Sequence, residues 1–425
     1  MSQDEQTEAA QNTTLPHDGF SPELPAILQK NVQQPLAWGL RLLMFMLKGM
    51  RYGQLDVHLP NGEVRHFRGN ERPELHGIMH IRSGALMRYV LKNGEVGFGE
   101  AYLDGLWDSP DLTSLLTVLY LNEPHYLGPY EKNFVSRFLG WLKHKSRANT
   151  KRKAVENIQY HYDLGNEFYK MWLDETMAYS SGMFIKPNES LMDAQINKFQ
   201  LMAERLDLRP EHTLLEIGSG WGGFAIYAAQ QSGCRVHSIT LSKEQLEEAQ
   251  RRAQAAGVAD RVSFELRDYR DIHEQYDRIV SIEMYEAVGE EFWPAYFSAI
   301  QRALKPGGRA AIQGITIHPE IFEQYRSKMD FIQKYIFPGG MLATPGVFMD
   351  SAARAGLASE NPRFFAKDYA DTLAVWHRNV LAARGAIVNQ FDERFLRLWR
   401  YYLSYCECGF RVERVNLMQI TLVKN

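Results

Sequence analysis

From about residue 205 the chain repeats one pattern: a short apolar run, a turn rich in glycine, then an amphipathic stretch. "HTLLEIGSG" runs into "GGFAIYAAQQSG", and "RVHSITLS" into "KEQLEEAQRRAQAAG", which closes on Gly257. "VSFELRDY" and "YDRIVSIEM" read as a third and a fourth strand, and "LKPGGRAAIQGITI" as a turn and a fifth. Apolar runs that alternate with helical periodicity predict strand–helix–strand units. Such units assemble into a doubly wound α/β sheet, which binds ligands at the carboxyl ends of its strands.

The repeat fills only the second half of 425 residues, so a further domain precedes it. The expected division is a disordered polar tail at 1–24, a smaller α/β domain at 25–148 and the doubly wound domain at 149–425. "GQLDVHLPNGEVRHFRG" alternates around Asn61-Gly62, a hairpin signal, and "ALMRYVLKNGEVGFGEAYLDG" repeats the dipeptide at Asn93-Gly94. Residues 52 to 105 are therefore expected as strands and turns, and 110 to 145 as helix. His76 and His80 stand four apart, as metal ligands on a helix can, but no third ligand adjoins them.

Composition narrows the classes. A net charge of −3 gives no footing for nucleic acid. Three cysteines, Cys234, Cys406 and Cys408, make neither a disulfide framework nor a zinc site. The start, "MSQDEQTEAAQNTTLPHDG", is acidic and polar where an export signal is basic and then apolar, so a cytoplasmic location is expected. "LAWGLRLLMFMLKGM" (36–50) falls short of the roughly 20 apolar residues that span a bilayer. It suits a core helix or a helix resting on lipid. "WLKHKSRANTKRK" (141–153) carries six Lys or Arg and no acid, as a solvated linker does or a segment lying on anionic head groups.

"LLEIGSGWGG" places Glu216, Gly218, Gly220 and Gly222 between a strand and a helix, the context in which a glycine-rich turn carries weight. Dinucleotides and S-adenosylmethionine (SAM) both need close backbone approach there. The acid before the first glycine and the "LKPGG" turn fit SAM better. The usual ribose-binding acid is missing from the end of the second strand, leaving Thr240 and Gln245 for polar contacts.

"SIEMYEAVG" (281–289) sets Glu283 and Glu286 three apart at the end of a buried strand. On a helix that spacing is about one turn, so both would share a face. Glu283 is equally an acid for a helix N-terminus. A metal is not expected, since no His or third acid lies in the motif.

"NIQYHYDLGNEFYKMWLDETMAYSSGMF", "LLEIGSGWGGFAIYAA", "ITLSKEQ", "DYRDIHEQYDRIVSIEMYEAVG" and "KYIFPGG" together resemble the cyclopropane-fatty-acyl-phospholipid synthases and mycolic acid methyltransferases. "GEAYLDGLWDSPDL" (99–112) extends the resemblance to the longer bacterial synthases and so into the first domain. The resemblance implies a class I SAM-methyltransferase, Rossmann-like, with a smaller N-terminal α/β domain that docks on lipid. The implied reaction is methylene transfer from SAM to the double bond of a phospholipid acyl chain, on the inner face of the cell membrane, by a homodimer. After methyl transfer a base, bound bicarbonate in this family, removes a proton and the ring closes.

By position, the implied cofactor residues are Tyr179, Ser180, Glu216, Gly218, Gly220, Trp221 and Gly222. Thr240, Leu241, Ser242, Gln245, Asp268 and Tyr269 complete them. Glu286, Ile315 and Tyr369 would hold bicarbonate, and Cys406 would stand near the acyl chain. Departures are equally informative. Ser181, Ala287 and Gln313 replace the family's usual Cys, His and His, and Glu283 stands where the synthases often have Gly. Ser181, Glu283 and Gln313 therefore join the candidate catalytic set. If the remodelled base takes a proton from a neighbouring chain carbon, the product is a methyl-branched alkene. A lipid-binding protein without catalysis is the alternative of another class.

Overall fold

The computed structural model describes residues 36–126 and 164–425. The expected tail and the basic run at 141–153 lie outside those residues, as does much of the "NIQYHYDLGNEFYK" motif.

The first sheet contains β1 (Tyr52–His58), β2 (Val64–Arg68), β3 (Glu71–Ile81) and β4 (Trp107–Asp108), in the order β2-β1-β3-β4. Asn61-Gly62 turns β1 into antiparallel β2 as expected, with Gly62 at φ 84°. The alternation of β1 sends Leu55 and Val57 inward, against α1 (Trp38–Leu47), α2 (Leu86–Leu103) and α3 (Leu112–Tyr126). The apolar segment at 36–50 is thus a helix on the core, burying Leu40, Met44 and Leu47.

One expectation for this region fails. Asn93-Gly94 forms no hairpin: residues 86–103 are helical, kinked where Gly94 adopts φ 56° and ψ −129°. Tertiary burial outweighs the local turn signal, because the second half of α2 packs Ala101, Tyr102 and Leu103 into the core. Its approach is so close that a Cβ on Gly99 would lie 2.6 Å from the Phe331 ring. His76 and His80 sit on β3, within the strands expected for residues 52 to 105. His76 pairs with Asp56 at 3.0 Å and His80 stacks on His58, and no metal-binding group of three occurs among the described residues.

The second sheet has seven strands: β5 (Thr213–Ile217), β6 (Arg235–Thr240), β7 (Val262–Leu266), β8 (Tyr276–Ile282), β9 (Leu304–Ile317), β10 (Leu357–Phe364) and β11 (Val415–Lys424). Their order is β10-β11-β9-β8-β5-β6-β7. Strands β5 to β9 pair in parallel, as the alternating pattern predicts, and β11 pairs antiparallel with β9 and β10. The chain winds outward from β5 through β6 to β7, then returns to β8 on the other side of β5. The carboxyl ends of β5 and β8 therefore flank the switch point where doubly wound sheets bind ligands.

Helices α4 (Leu191–Leu206), α5 (Gly223–Ser232) and α6 (Lys243–Ala255) flank the sheet, and α7 (Ala366–Ala382) and α8 (Glu393–Arg411) pack on each other beside it. The two α/β bodies are fastened together through α8. Buried Arg397 donates to the Tyr102 carbonyl at 2.6 Å, the Trp107 carbonyl at 2.8 Å and Asp108 Oδ2 at 2.8 Å. A buried guanidinium is tolerable only when its donors are used in this way.

Candidate active site

A cavity of about 1050 Å3 runs from the carboxyl ends of β5 and β8 to the helices of the first domain. Gly218, Gly220, Thr240, Gln245, Asp268 and Tyr269 line one end, and Leu43, Leu47, Val90, Leu116 and Leu119 the other. Ile315, Phe337, Tyr402, Cys406 and Phe410 lie among the walls. The first end is polar and close to backbone. The other is a hydrocarbon-lined space built by both domains, a shape suited to a long apolar ligand.

At the polar end the N–H groups of Gly218 and Ser219 donate to the Ile239 carbonyl at 3.0 Å, folding the turn across β6. Gly218 (φ 98°) and Gly220 (φ 48°) need the left-handed region, and open space lies where a Gly220 Cβ would project. Gly222 (φ 82°) needs the same region and serves packing as well: a Cβ there would meet the Phe264 ring at 3.0 Å and Ala249 at 3.1 Å. Trp221 donates to Asn166 Oδ1 at 2.6 Å. Glu216 accepts from Ser238 Oγ at 2.5 Å, and burial pushes its carboxyl up to about 8. Thr240 Oγ1 donates to Gln245 Oε1 at 3.0 Å, Leu241 lines the cavity, and Ser242 caps α6. Asp268 is held by Arg270 at 2.6 Å. The Ser219 hydroxyl is buried with no hydrogen-bond partner among the described residues. An orphaned hydroxyl beside an open glycine turn, with polar side chains converging, fits a SAM-sized polar ligand.

Where the turn meets α4, Tyr179 OH contacts Tyr402 OH at 2.7 Å, and Ser180 Oγ accepts from Lys198 Nζ at 2.7 Å. Lys198 is buried on the apolar face of α4. Burial pulls its ammonium down to about 8 against the opposing influence of Glu283, Asp174 and Glu216.

The two acids of "SIEMYEAVG" do reach one cavity, but not through a helix. After β8 the chain places Glu283 at φ 50°, then makes a single turn over Tyr285–Ala287. The left-handed residue turns the Glu283 side chain inward. A non-glycine residue held there carries strain of about 1 kcal/mol or more. Glu283 Oε1 accepts from Ser181 N at 2.9 Å and from Gln313 Nε2 at 2.7 Å, and Tyr369 OH donates to Oε2 at 2.5 Å. Burial raises its carboxyl, opposed by Tyr369, Gln313, Ser181 and Lys198. Glu286 Oε1 accepts from the Ile315 N–H, while Oε2 has no hydrogen-bond partner among the described residues. Burial, then the charge of Glu283, pushes Glu286 up to about 8. The surface that both acids expose belongs to the cavity wall, so their partial exposure accords with strong desolvation.

Not every candidate faces the cavity. The Ser181 hydroxyl donates to the Gly182 carbonyl at 2.8 Å, so this residue serves Glu283 through its N–H. Gln313 is fully buried behind Glu283. Cys406 lines the cavity, and burial pushes its thiol up, keeping it neutral. The donor set does not fit bicarbonate: Ile315 N–H is taken by Glu286, and Tyr369, Gln313 and Ser181 N–H by Glu283. A further anion would find the Glu283 carboxylate and, as the one open donor of this set, the protonated Glu286 carboxyl. Sequence reasoning missed Lys198, Gln419 and Tyr402. A lysine on the apolar stripe of α4, and a glutamine inside "VNLMQITLVK", were the available signals.

The sequence profile of the family described as mycolic acid cyclopropane synthetase matches residues 149–420. The chain belongs to that family. The tuberculostearic acid methyltransferase UfaA1 of Mycobacterium tuberculosis is 38% identical over 372 residues, 84% of this chain and 85% of the relative. The cyclopropane-fatty-acyl-phospholipid synthase of Escherichia coli is 33% identical over 80% of this chain and 86% of its own length. Among solved structures, the mycolic acid cyclopropane synthase CmaA1, complexed with SAH and CTAB, is similar with a TM-score of 0.59 and 30% identity. It covers 64% of this chain and 98% of that one. The family's members are SAM-dependent enzymes that modify lipid double bonds, and the polar end of the cavity is where this member's residues fit that cofactor.

Proposed function

We propose that this enzyme methylates the double bond of an unsaturated phospholipid acyl chain, and that Glu283 is the base that takes the released proton. The carrying observation is the Glu283 carboxylate itself, turned inward by its left-handed backbone and gripped by Ser181, Gln313 and Tyr369. The cofactor, when bound, supplies an electrophilic methyl group. The apolar cavity excludes water from the cation left on the acyl chain, and the tyrosine faces of its wall stabilise positive charge. Glu286, raised to about 8, keeps its proton at neutral pH, whereas the Glu283 carboxylate, although burial raises it too, has three donors and the nearby Lys198 favouring its charged form.

A base tethered at the end of β8 cannot follow the new methyl group as a free ion can. That favours loss of a proton from a neighbouring chain carbon and retention of an alkene, and similarity to a tuberculostearic acid methyltransferase supports the same branch. Ring closure is the second reading, favoured by similarity to the E. coli synthase over most of both chains. Among the described residues no helix is long and apolar enough to cross a membrane. Trp38, Phe45 and Leu91 are 72%, 70% and 66% exposed on helices whose Leu43, Leu47 and Val90 line the cavity. They support docking of the first domain on the inner face of the cell membrane. Incubation with methyl-labelled SAM and vesicles of a monounsaturated phospholipid should put label in the acyl chain. Label confined to small molecules or head groups would overturn the proposal.

A further inference from the structure

The Glu283 carboxylate ends a hydrogen-bonded chain that begins at the flank of the protein. Gln313 on β9 and Gln419 on β11 face each other across their antiparallel pairing, and both are fully buried. Gln419 Nε2 donates to Gln313 Oε1 at 2.7 Å, and Gln313 Nε2 donates to Glu283 Oε1 at 2.7 Å. At the outer end, half-buried Arg205 of α4 donates Nε–H to Gln419 Oε1 at 3.3 Å and a second N–H to the Asn361 carbonyl at 3.0 Å.

The direction of this chain follows from chemistry. A primary amide keeps its shape when turned end for end, so its neighbours decide which end is oxygen. Arginine has donors only. Gln419 must therefore give Arg205 its oxygen, which sends its NH2 to Gln313, which in turn sends its own NH2 to Glu283. The Ser181 N–H is a second donor that cannot reverse. A proton on Oε1 would forfeit both bonds. Oε2 differs, because its partner is a hydroxyl: Tyr369 can donate to the carboxylate and, once the carboxyl is protonated, accept from it.

We propose that Arg205 and Gln419 are positioning residues that, through Gln313, fix Glu283 Oε1 as a permanent acceptor and leave Oε2, beside Tyr369, as the one atom that takes the substrate's proton. Without a donor at position 205 the two amides can reverse together. Gln313 then presents oxygen to Glu283, which must hold a proton at rest and is lost as a base. The catalytic part rests on Glu283 as the base; the direction of the amide chain does not.

The full chain carrying Arg205→Lys, Arg205→Met or Arg205→Glu tests this. Lysine is still a donor, so kcat should stay within about threefold of wild type. Arg205→Met and Gln419→Met should each lose about tenfold, one hydrogen bond's worth, and Arg205→Glu, which enforces reversal, about a hundredfold or more. KM for SAM should not move in any of them. A second readout needs no turnover. Arg205→Glu should lower Tm in the wild-type background, where Gln313 oxygen would face a carboxylate. It should lower Tm much less beside Glu283→Gln, whose amide can turn its nitrogen to meet that oxygen. Equal kcat in the three Arg205 variants, or equal Tm losses in both backgrounds, would overturn the proposal. If Glu283→Gln itself keeps full turnover while the Tm losses remain unequal, the amide chain stands and the base assignment falls.

Discussion

Glu283→Gly removes the proposed base and opens the space it fills. The backbone tolerates the change, because φ 50° suits glycine and the strain of about 1 kcal/mol is released. Left behind are three donors aimed at the two vacated carboxylate oxygens: Ser181 N–H and Gln313 NH2 at one, Tyr369 OH at the other. Loss of a positioned general base costs about 10²–10⁴ in rate, or ~3–5 kcal/mol of barrier. The vacated site should accept a small carboxylate, so formate or bicarbonate should restore turnover with saturation. The assay is methyl transfer from labelled SAM to unsaturated phospholipid vesicles in carbonate-free buffer at constant ionic strength, with formate titrated. Calorimetric SAM binding should be unchanged, since the cofactor end is untouched. Turnover within about threefold of wild type, without added anion, would refute Glu283 as the base.

Tyr369→Phe removes the donor to Glu283 Oε2, and kcat should fall about 10- to 100-fold in the same assay with KM for SAM unchanged. Glu286 has a folded pKa of about 8 against an ordinary 4.5, so the fold binds its proton more tightly than the unfolded chain does. The stability this contributes is fully present below about pH 4.5 and lost as pH rises through about 8. Glu286→Gln, permanently neutral, should therefore match wild type at pH 5 and be more stable at pH 9 by about 2 kcal/mol after allowance for water in the cavity, measured by urea denaturation. Arg397→Ala strips Asp108 of a buried partner and the Tyr102 and Trp107 carbonyls of theirs, and should destabilise by about 3–5 kcal/mol in the same measurement.

Half of the fold was legible because β5 to β9 alternate with helices in sequence order, so local periodicity and topology agree. The final strand was not. β11 reaches β9 only after α8 returns the chain, and its apolar run carries no mark of an antiparallel partner. The two Asn-Gly dipeptides show the same divide. Asn61-Gly62 joins two paired strands, β1 alternating into the core, whereas Asn93-Gly94 lies in a segment whose Gly99 admits Phe331 and Tyr401 against a helix. At the site, the spacing of Glu283 and Glu286 put two acids together but gave neither its orientation. That depends on one left-handed residue and on donors at positions 181, 313 and 369 brought in by other elements. Arg205 and Gln419, 214 residues apart, had no sequence signal of being joined.

The structure of the lipid product is the most direct test of the central claim. Phospholipid treated with the enzyme and methyl-labelled SAM should yield a labelled methyl-branched acyl chain that takes up hydrogen at an alkene on catalytic hydrogenation, and this product should be lost on removal of the Glu283 carboxylate. A labelled chain without an alkene, its methylene carbon closed into a ring, or the same alkene formed at full rate after Glu283→Gln, would contradict it.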